Sequence, residues 1–418
     1  MPENIKKGTF LNFIAYTLSG LFMFLFNIIA ARNLGPEKFG IISIMWSSII
    51  IATRFLTAGI KDGTVKFISH YEATNDKGGM TRALITNLKF TVAVSLFFLF
   101  ISFLSWKILI YNLFSGYLSL YIFFLISSTL YFLIYFTRGL LQGLRELKDS
   151  AISVIIEYSV MVISLIVFFT FAKDVRLAGL SILLGPLFSL FFISSAITKL
   201  KKRFSSESSS HPDTKTLLHF VIPTSFINFS SGFITSLGPL FIKFLGDFTL
   251  AGIFTASLVI FKGARTVISA IFISIFPHLS RQEALKNYET LNRIIRSGFI
   301  FIVVVFVILV IVSLTIGNTV IEFIYGKEFT IERVHLFLMS LFTGFFLLSE
   351  LFNRVLLVKS MIKELIISWF IAFGILVILL FMPLTPLFRV EIALLGAGFS
   401  AFIGMFIFLY LKRREHQQ

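Results

Sequence analysis

From Gly8 to Ala31 the chain runs 24 residues without a charge, and eleven further apolar stretches follow. A hydrocarbon core about 30 Å thick is crossed by about 20 helical residues, so this chain reads as an all-α integral membrane protein of about twelve spans. The expected limits are 9–31, 39–60, 83–106, 118–137, 151–172, 177–198, 217–242, 249–276, 297–317, 333–358, 364–382 and 391–411. The connections are short and leave no room for a sizeable soluble domain. The first stretch has the basic start of a signal peptide, but it is too long for the apolar core of one and is expected to stay as the first span.

Composition narrows the function classes. The chain is 57% hydrophobic and only 14% charged, with 54 phenylalanines. It has no cysteine, which excludes a disulfide framework, a thiolate metal site and a cysteine nucleophile. The six histidines show no paired spacing, so no metal centre is expected. No Gly-rich phosphate loop or ATPase domain is present, which leaves an ion, voltage or substrate gradient as the source of energy. A net charge of +16 raises the question of nucleic acid, but the charge lies in short loops and not on a soluble basic face, so no nucleic-acid partner is expected.

Those loop charges set the expected orientation, because Lys and Arg are retained on the cytoplasmic side. Of the 37 basic residues, 22 fall in loops on one side and 8 on the other, placing both termini in the cytoplasm of a plasma or inner membrane. The remaining seven lie inside or at the edge of the spans: Arg54, Lys89, Arg138, Lys243, Lys262, Arg265 and Arg354.

The serine-rich stretch TKLKKRFSSESSSHPDTK divides six spans from six. A shift of 211 residues superposes Arg32 on Lys243, Leu34-Gly35 on Leu245-Gly246, Arg54 on Arg265, and SHYEA (69–73) on SRQEA (280–284). With a small gap, TRGLL at 137–141 parallels NRVLL at 353–357. Six intervening spans preserve direction, so the chain reads as a parallel tandem duplication: an N-terminal lobe over 1–198, a cytoplasmic linker over 199–215 and a C-terminal lobe over 216–418. Transporters built on such parallel repeats hold their substrate between the halves.

A charged side chain in hydrocarbon costs at least ~2.5 kcal/mol unless something compensates it, so charge segregated to particular helices calls for a cause. Arg54, Lys89, Arg138, Glu157, Lys262 with Arg265, and Glu350 with Arg354 sit in spans 2, 3, 4, 5, 8 and 10, whereas spans 6, 7, 9 and 11 carry none in their interiors. One reading is a shared cationic lining. Another is snorkelling or structural pairing, which applies to Arg138, Arg354 and Lys89 near helix ends and to Lys243 as an anchor. Arg265 lies 12 residues before Pro277, about 18 Å along a helix at ~1.5 Å per residue, and therefore near mid-membrane. Lys262, three residues earlier, shares its face. Glu157 and Glu350 are candidate counter-ions or ion-coupling sites, and Glu350 is spaced to pair with Arg354 on its own helix. This excess of cations favours an anionic passenger, since guanidinium forks suit phosphate and carboxylate. Asn12, Asn27, Asn228 and Asn353 are open to two readings, sugar-hydroxyl contacts or helix-packing hydrogen bonds. Pro186, Pro223, Pro239 and Pro277 are expected to kink or end helices.

ARNLGPEKFGIISI after span 1, TRGLLQGLRELKDSA after span 4, LGDFTLAGIFTASLVI entering span 8, IFPHLSR leaving it and IEFIYGKEFT after span 9 together resemble the polysaccharide or O-antigen-type flippases. These belong to the multidrug/oligosaccharidyl-lipid/polysaccharide exporter superfamily. The resemblance runs the length of the chain. It implies a MATE-like fold that is not an enzyme and carries a polyprenyl-phosphate- or pyrophosphate-linked oligosaccharide from the cytoplasmic to the outer leaflet by alternating access. It further implies no cofactor, with the lipid-linked oligosaccharide, membrane lipids and polysaccharide assembly enzymes as partners; a monomer suffices. The substrate-binding residues expected on this reading are Arg54, Arg265, Lys262, Arg138, Arg354 and Lys89. The alternatives are a cation-coupled multidrug exporter of the same superfamily, which calls for acidic cavity residues, and a membrane-embedded polysaccharide polymerase, which calls for a large outer loop.

Overall fold

The computed structural model describes residues 3–200, 214–285, 287–359 and 361–415, with the first turns of α1 and α7 and most of 269–281 given by backbone alone. The linker expected at 199–215 falls largely outside these residues, as do the side chains of Asn228, Pro223 and Pro277. Among the described residues the chain forms helices and no strand: α1 (Glu3–Ala73), α2 (Lys77–Leu104), the short α3 (Trp106–Ile108), α4 (Leu118–Gly143), α5 (Leu147–Phe171), α6 (Val175–Leu200), α7 (Thr214–Leu245), α8 (Phe248–Ala284), α9 (Tyr288–Thr315), α10 (Gly317–Tyr325), α11 (Arg333–Val358), α12 (Ile362–Leu379) and α13 (Pro386–Glu415). Helix is the form in which a segment in lipid satisfies its own N–H and C=O groups. The polar side chains follow the same logic: on α2, Asn87, Thr91 and Ser95 each donate to the carbonyl four residues back, at 2.9, 2.8 and 2.8 Å.

Among the described residues nine helices are long and apolar enough to cross a membrane. One of them, Leu11–Phe55, is 45 residues long. At ~1.5 Å per residue that is more than twice the hydrocarbon thickness, so it counts as two spans. The break is at Gly35, whose φ of 73° suits glycine and is followed by Pro36. The shorter apolar parts of α7 and α8, Gly232–Leu245 and Phe248–Gly263, supply two more, which brings the count to the twelve spans expected. Helix starts are capped where the loops are tight: Asp76 accepts from the Gly79 N–H at 2.7 Å and Asn287 from the Thr290 N–H at 3.2 Å.

The chain forms two compact units, residues 1–34 with 41–236, and residues 35–40 with 237–418. In the first, α4 packs on α2, α5 and α6, and α5 on α6. Ile68, Met80, Ala83, Leu140 and Leu144 close one part of its core, and Ile134, Leu141 and Ile193 another. In the second unit α11 is the centre, flanked by α8, α9, α12 and α13. Its most apolar window is 67% buried, against 11% for the more apolar window of α9, so α9 is the helix whose greasy surface is left for lipid. Trp369 is fully buried against Phe346. Residues 35–40 cross α8 backbone to backbone. A Cβ on Gly40 would overlap the Phe248 carbonyl, and one on Gly252 would overlap the Pro36 carbonyl.

Candidate functional site: arginine centres within the spans

In the first unit three helices converge on Arg138. From α4 its Nη2 meets the Glu157 Oε2 of α5 at 2.6 Å. The same nitrogen donates to Ser189 Oγ of α6 at 3.1 Å, and Nε donates to Ser153 Oγ at 2.9 Å. Ser189 in turn donates to the Ser153 carbonyl at 2.9 Å. Gly185 lets α6 approach the α5 backbone here, since a Cβ would fall 2.7 Å from the Glu157 carbonyl. The side chains of Arg138 and Glu157 are 9% and 1% exposed. This is a closed, charge-balanced knot. Beside it, Trp46 stands edge-on to Tyr131 and Tyr158 at 6.2 and 6.5 Å.

The second unit holds a more open pair. Arg265 Nη2 of α8 lies 3.2 Å from Glu350 Oε1 of α11, with side-chain exposures of 18% and 19%. Its guanidinium rests 4.5 Å over the Phe346 ring, a cation–π contact that holds the fork flat. Phe346 and Glu350 are one turn apart on α11, so one helix face supplies both the stacking surface and the acid. Glu350 thus reaches a partner 85 positions away. Lys262, half-buried, is one turn before Arg265 on α8, and Arg354, half-buried, is one turn after Glu350 on α11.

Arg54 differs from both. It is half-buried, and its side chain lies along Gly232 of α7 so closely that any Cβ there would overlap the guanidinium. The neighbouring Phe55 and Phe229 rings meet at 4.8 Å and tie the same two helices. Among the described residues Arg54 has no carboxylate within ion-pair distance. Lys89 sits on the exposed face of α2 in line with Ile85, Leu88, Val92 and Leu96, the setting of a snorkelling lysine. Lys243 stacks on Phe248 at 4.9 Å, as an anchor would. Asn27 donates to the Met23 carbonyl of its own helix at 2.6 Å, and Asn353 accepts from Trp369 Nε1 at 3.3 Å. Asn12 Oδ1 is buried with no partner among the described residues.

Two polar contacts were not foreseen. Lys61 Nζ of α1 lies 3.4 Å from Tyr16 Oη. His335 Nδ1 of α11 lies 2.7 Å from Glu391 Oε2 of α13. Glu391 falls on the first residue of an expected span, where it counts as a loop charge, and His335 carries no formal charge in a count of Lys and Arg. Their separation of 56 positions offers no local spacing to read.

The class of protein this defines is a multi-pass helical membrane protein with the fold of the MATE transporters. An inward-facing multidrug-resistance MATE family transporter of the MOP superfamily superposes with a TM-score of 0.71 over 97% of this chain and 98% of that one, at 14% identity. An outward-facing one gives 0.67 over 98% and 96%, also at 14%, and a MATE in the bent conformation 0.67 over 98% and 95%, at 15%. The model of the family described as polysaccharide biosynthesis protein matches residues 5–283, and the chain belongs to that family. A curated relative, an uncharacterized membrane protein of Methanocaldococcus jannaschii, is 25% identical over 284 residues, which is 63% of this chain. The match spans about 65% of that relative's length.

Proposed function

We propose that this protein is a flippase that moves a lipid-(pyro)phosphate-linked oligosaccharide from the cytoplasmic to the outer leaflet by alternating access along a cationic pathway, for cell-surface polysaccharide synthesis. Family membership and fold support the general reading. The observation that carries the anionic passenger is Arg54, a half-buried arginine inside a span with no acidic partner among the described residues. A charge so placed is costly unless a ligand or water shares it. In the second unit Arg265, stacked on Phe346 and paired with Glu350, is the second phosphate contact of this reading, with Lys262 and Arg354 as further basic contacts, while Arg138 acts through the fold. Membrane lipid and the enzymes that make and extend the lipid-linked sugar are the partners this role requires, in a plasma or inner membrane with both termini cytoplasmic.

Ligand-induced stabilisation of the purified protein tests the reading. A lipid-pyrophosphate oligosaccharide should bind the wild type about tenfold more tightly than Arg265→Ala, the equivalent of ~1.4 kcal/mol for one charge-assisted contact. The same oligosaccharide on an uncharged polyprenol should bind poorly to both. Equal binding of the charged and uncharged lipids would remove phosphate as the recognised group. The fold likeness to multidrug-resistance transporters favours one other reading, export of cationic drugs. That reading predicts binding of a cationic dye which the Arg54→Ala substitution strengthens.

A further inference from the structure

The arginine centres leave out the most deeply buried acid–base pair among the described residues of the second unit. His335 sits in the first turn of α11 and Glu391 in the second turn of α13, with side chains 8% and 1% exposed and Nδ1 2.7 Å from Oε2. Phe388, one turn before Glu391 on α13, covers the imidazole with ring centroids 4.4 Å apart. The imidazole is thus held between a ring and a carboxylate from the same helix. The second carboxylate oxygen, Oε1, is buried and has no hydrogen-bond partner among the described residues. A pair that served only to tie two helices would be expected to use both oxygens, because a buried acceptor left alone has a cost.

We infer that His335 and Glu391 together form a proton-binding site, in which one exchangeable proton is taken up and released as the transport cycle proceeds. Imidazole is the side chain whose ordinary titration lies nearest neutral pH, and at hydrogen-bond distance the two groups titrate as a pair and not singly. The step is a simple one. A neutral imidazole that donates its Nδ1–H to the carboxylate gives the pair one negative charge; a proton from water, added at Oε1 or Nε2, makes the pair neutral overall, and its return to water restores the negative charge. Oε1 is the open acceptor through which that proton can enter or leave. A buried pair that alternates between a net charge and none has two states with different burial costs, and such a difference can bias one conformation over another.

Among the described residues the nearby ionisable groups other than Tyr325 face solvent or are held elsewhere: Glu332, just before α11, is exposed, and Asp247, just before α8, is exposed and accepts from the Leu250 N–H at 2.8 Å. On the pair's own helices, Arg333 is exposed and Arg389 donates to the Leu384 carbonyl at 2.9 Å. From α10 come Glu322, 3.7 Å from Lys327, and Tyr325, whose buried hydroxyl has no partner among the described residues. The ionisable residues of α9 are Tyr288, Glu289, Arg293 and Arg296, and those of α12 are Lys363 and Glu364, all at the opposite ends of those helices. On α8 the first is Lys262, more than three turns in.

The test uses the full chain in nanodiscs and needs no passenger, so its outcome is independent of the flippase reading. Proton uptake is measured in weakly buffered solution on a pH step across the neutral range, for the wild type, Glu391→Gln, and the double variant His335→Leu/Glu391→Leu. The double variant removes both partners together and leaves no uncompensated charge, which protects the fold. Arg138→Leu/Glu157→Leu, the same operation on the closed knot, is the control. The expected result is that about one proton per protein is lost from the uptake of both dyad variants and none from the control. In the wild type alone, a protonated-carboxyl infrared band or a histidine nitrogen resonance that follows the same pH step is also expected. Uptake identical in all four proteins, or an equal loss in the control, overturns the inference. So does an uptake that is unchanged while radioactive sodium binding disappears in Glu391→Gln, which would make the site one for a metal cation.

Discussion

Arg138 and Arg265 are both intramembrane arginines facing glutamates, and their surroundings give them different consequences. Arg138 and Glu157 are sealed, with two serines completing the guanidinium. Arg138→Ala leaves a buried carboxylate unpaired, so a loss of about 3–5 kcal/mol is expected, seen as a lowered melting temperature or loss of monodisperse protein. Arg265 is about twice as exposed and is fixed by stacking as much as by charge. Arg265→Lys keeps the charge and loses the planar fork, so folding near wild type with clearly weakened passenger binding is expected. Folding loss at Arg265 equal to that at Arg138 would mark both as structural. Much of this was legible in the sequence: a basic residue in an apolar span stands out, and so did the two glutamates as candidate counter-ions. The partners were less legible, because Glu350 joins Arg265 across 85 positions and His335 joins Glu391 across 56, and such pairings depend on helix packing with no local spacing behind it.

At the level of the helix, hydropathy predicts the spans well because lipid imposes one requirement on every backbone group. What it misses is how spans join. The expected break near residues 32–38 is a single glycine with positive φ, and α1 runs helical on both sides of it. Glycines also mark the close approaches. Gly252→Val should clash with the Pro36 backbone, which cannot move aside as a side chain can, and should cost ~1–3 kcal/mol or more. Gly263→Ala is the contrasting case in the same helix. Among the described residues no atom outside its own helix backbone lies within 4 Å of its added methyl, so it should leave stability unchanged or raise it by ~0.5–1 kcal/mol. Thermal unfolding of the two variants side by side checks both.

For the whole molecule, the twelve-span count and the helical class were readable from length and hydropathy, and the internal offset pointed to a duplication. The passenger was not readable from hydropathy, because a bilayer-spanning pattern is common to transporters of every substrate. Orientation remains a prediction from loop charge, and a chain without native cysteine makes it easy to test. A membrane-impermeant thiol reagent applied to intact cells should label Ser115→Cys and spare Ser208→Cys, with the pattern reversed in inside-out vesicles. The reverse result would invert the expected direction of transport. The most direct measurement is flipping of a fluorescent lipid-pyrophosphate-oligosaccharide in proteoliposomes, comparing wild type with Arg54→Ala and Arg265→Ala at equal reconstituted protein. Transport by the wild type and its loss in both variants, with folded protein retained, is the predicted result. Full activity in either variant, or a wild type that moves a cationic dye and leaves the lipid-linked sugar where it was, would contradict an anionic passenger carried by these arginines.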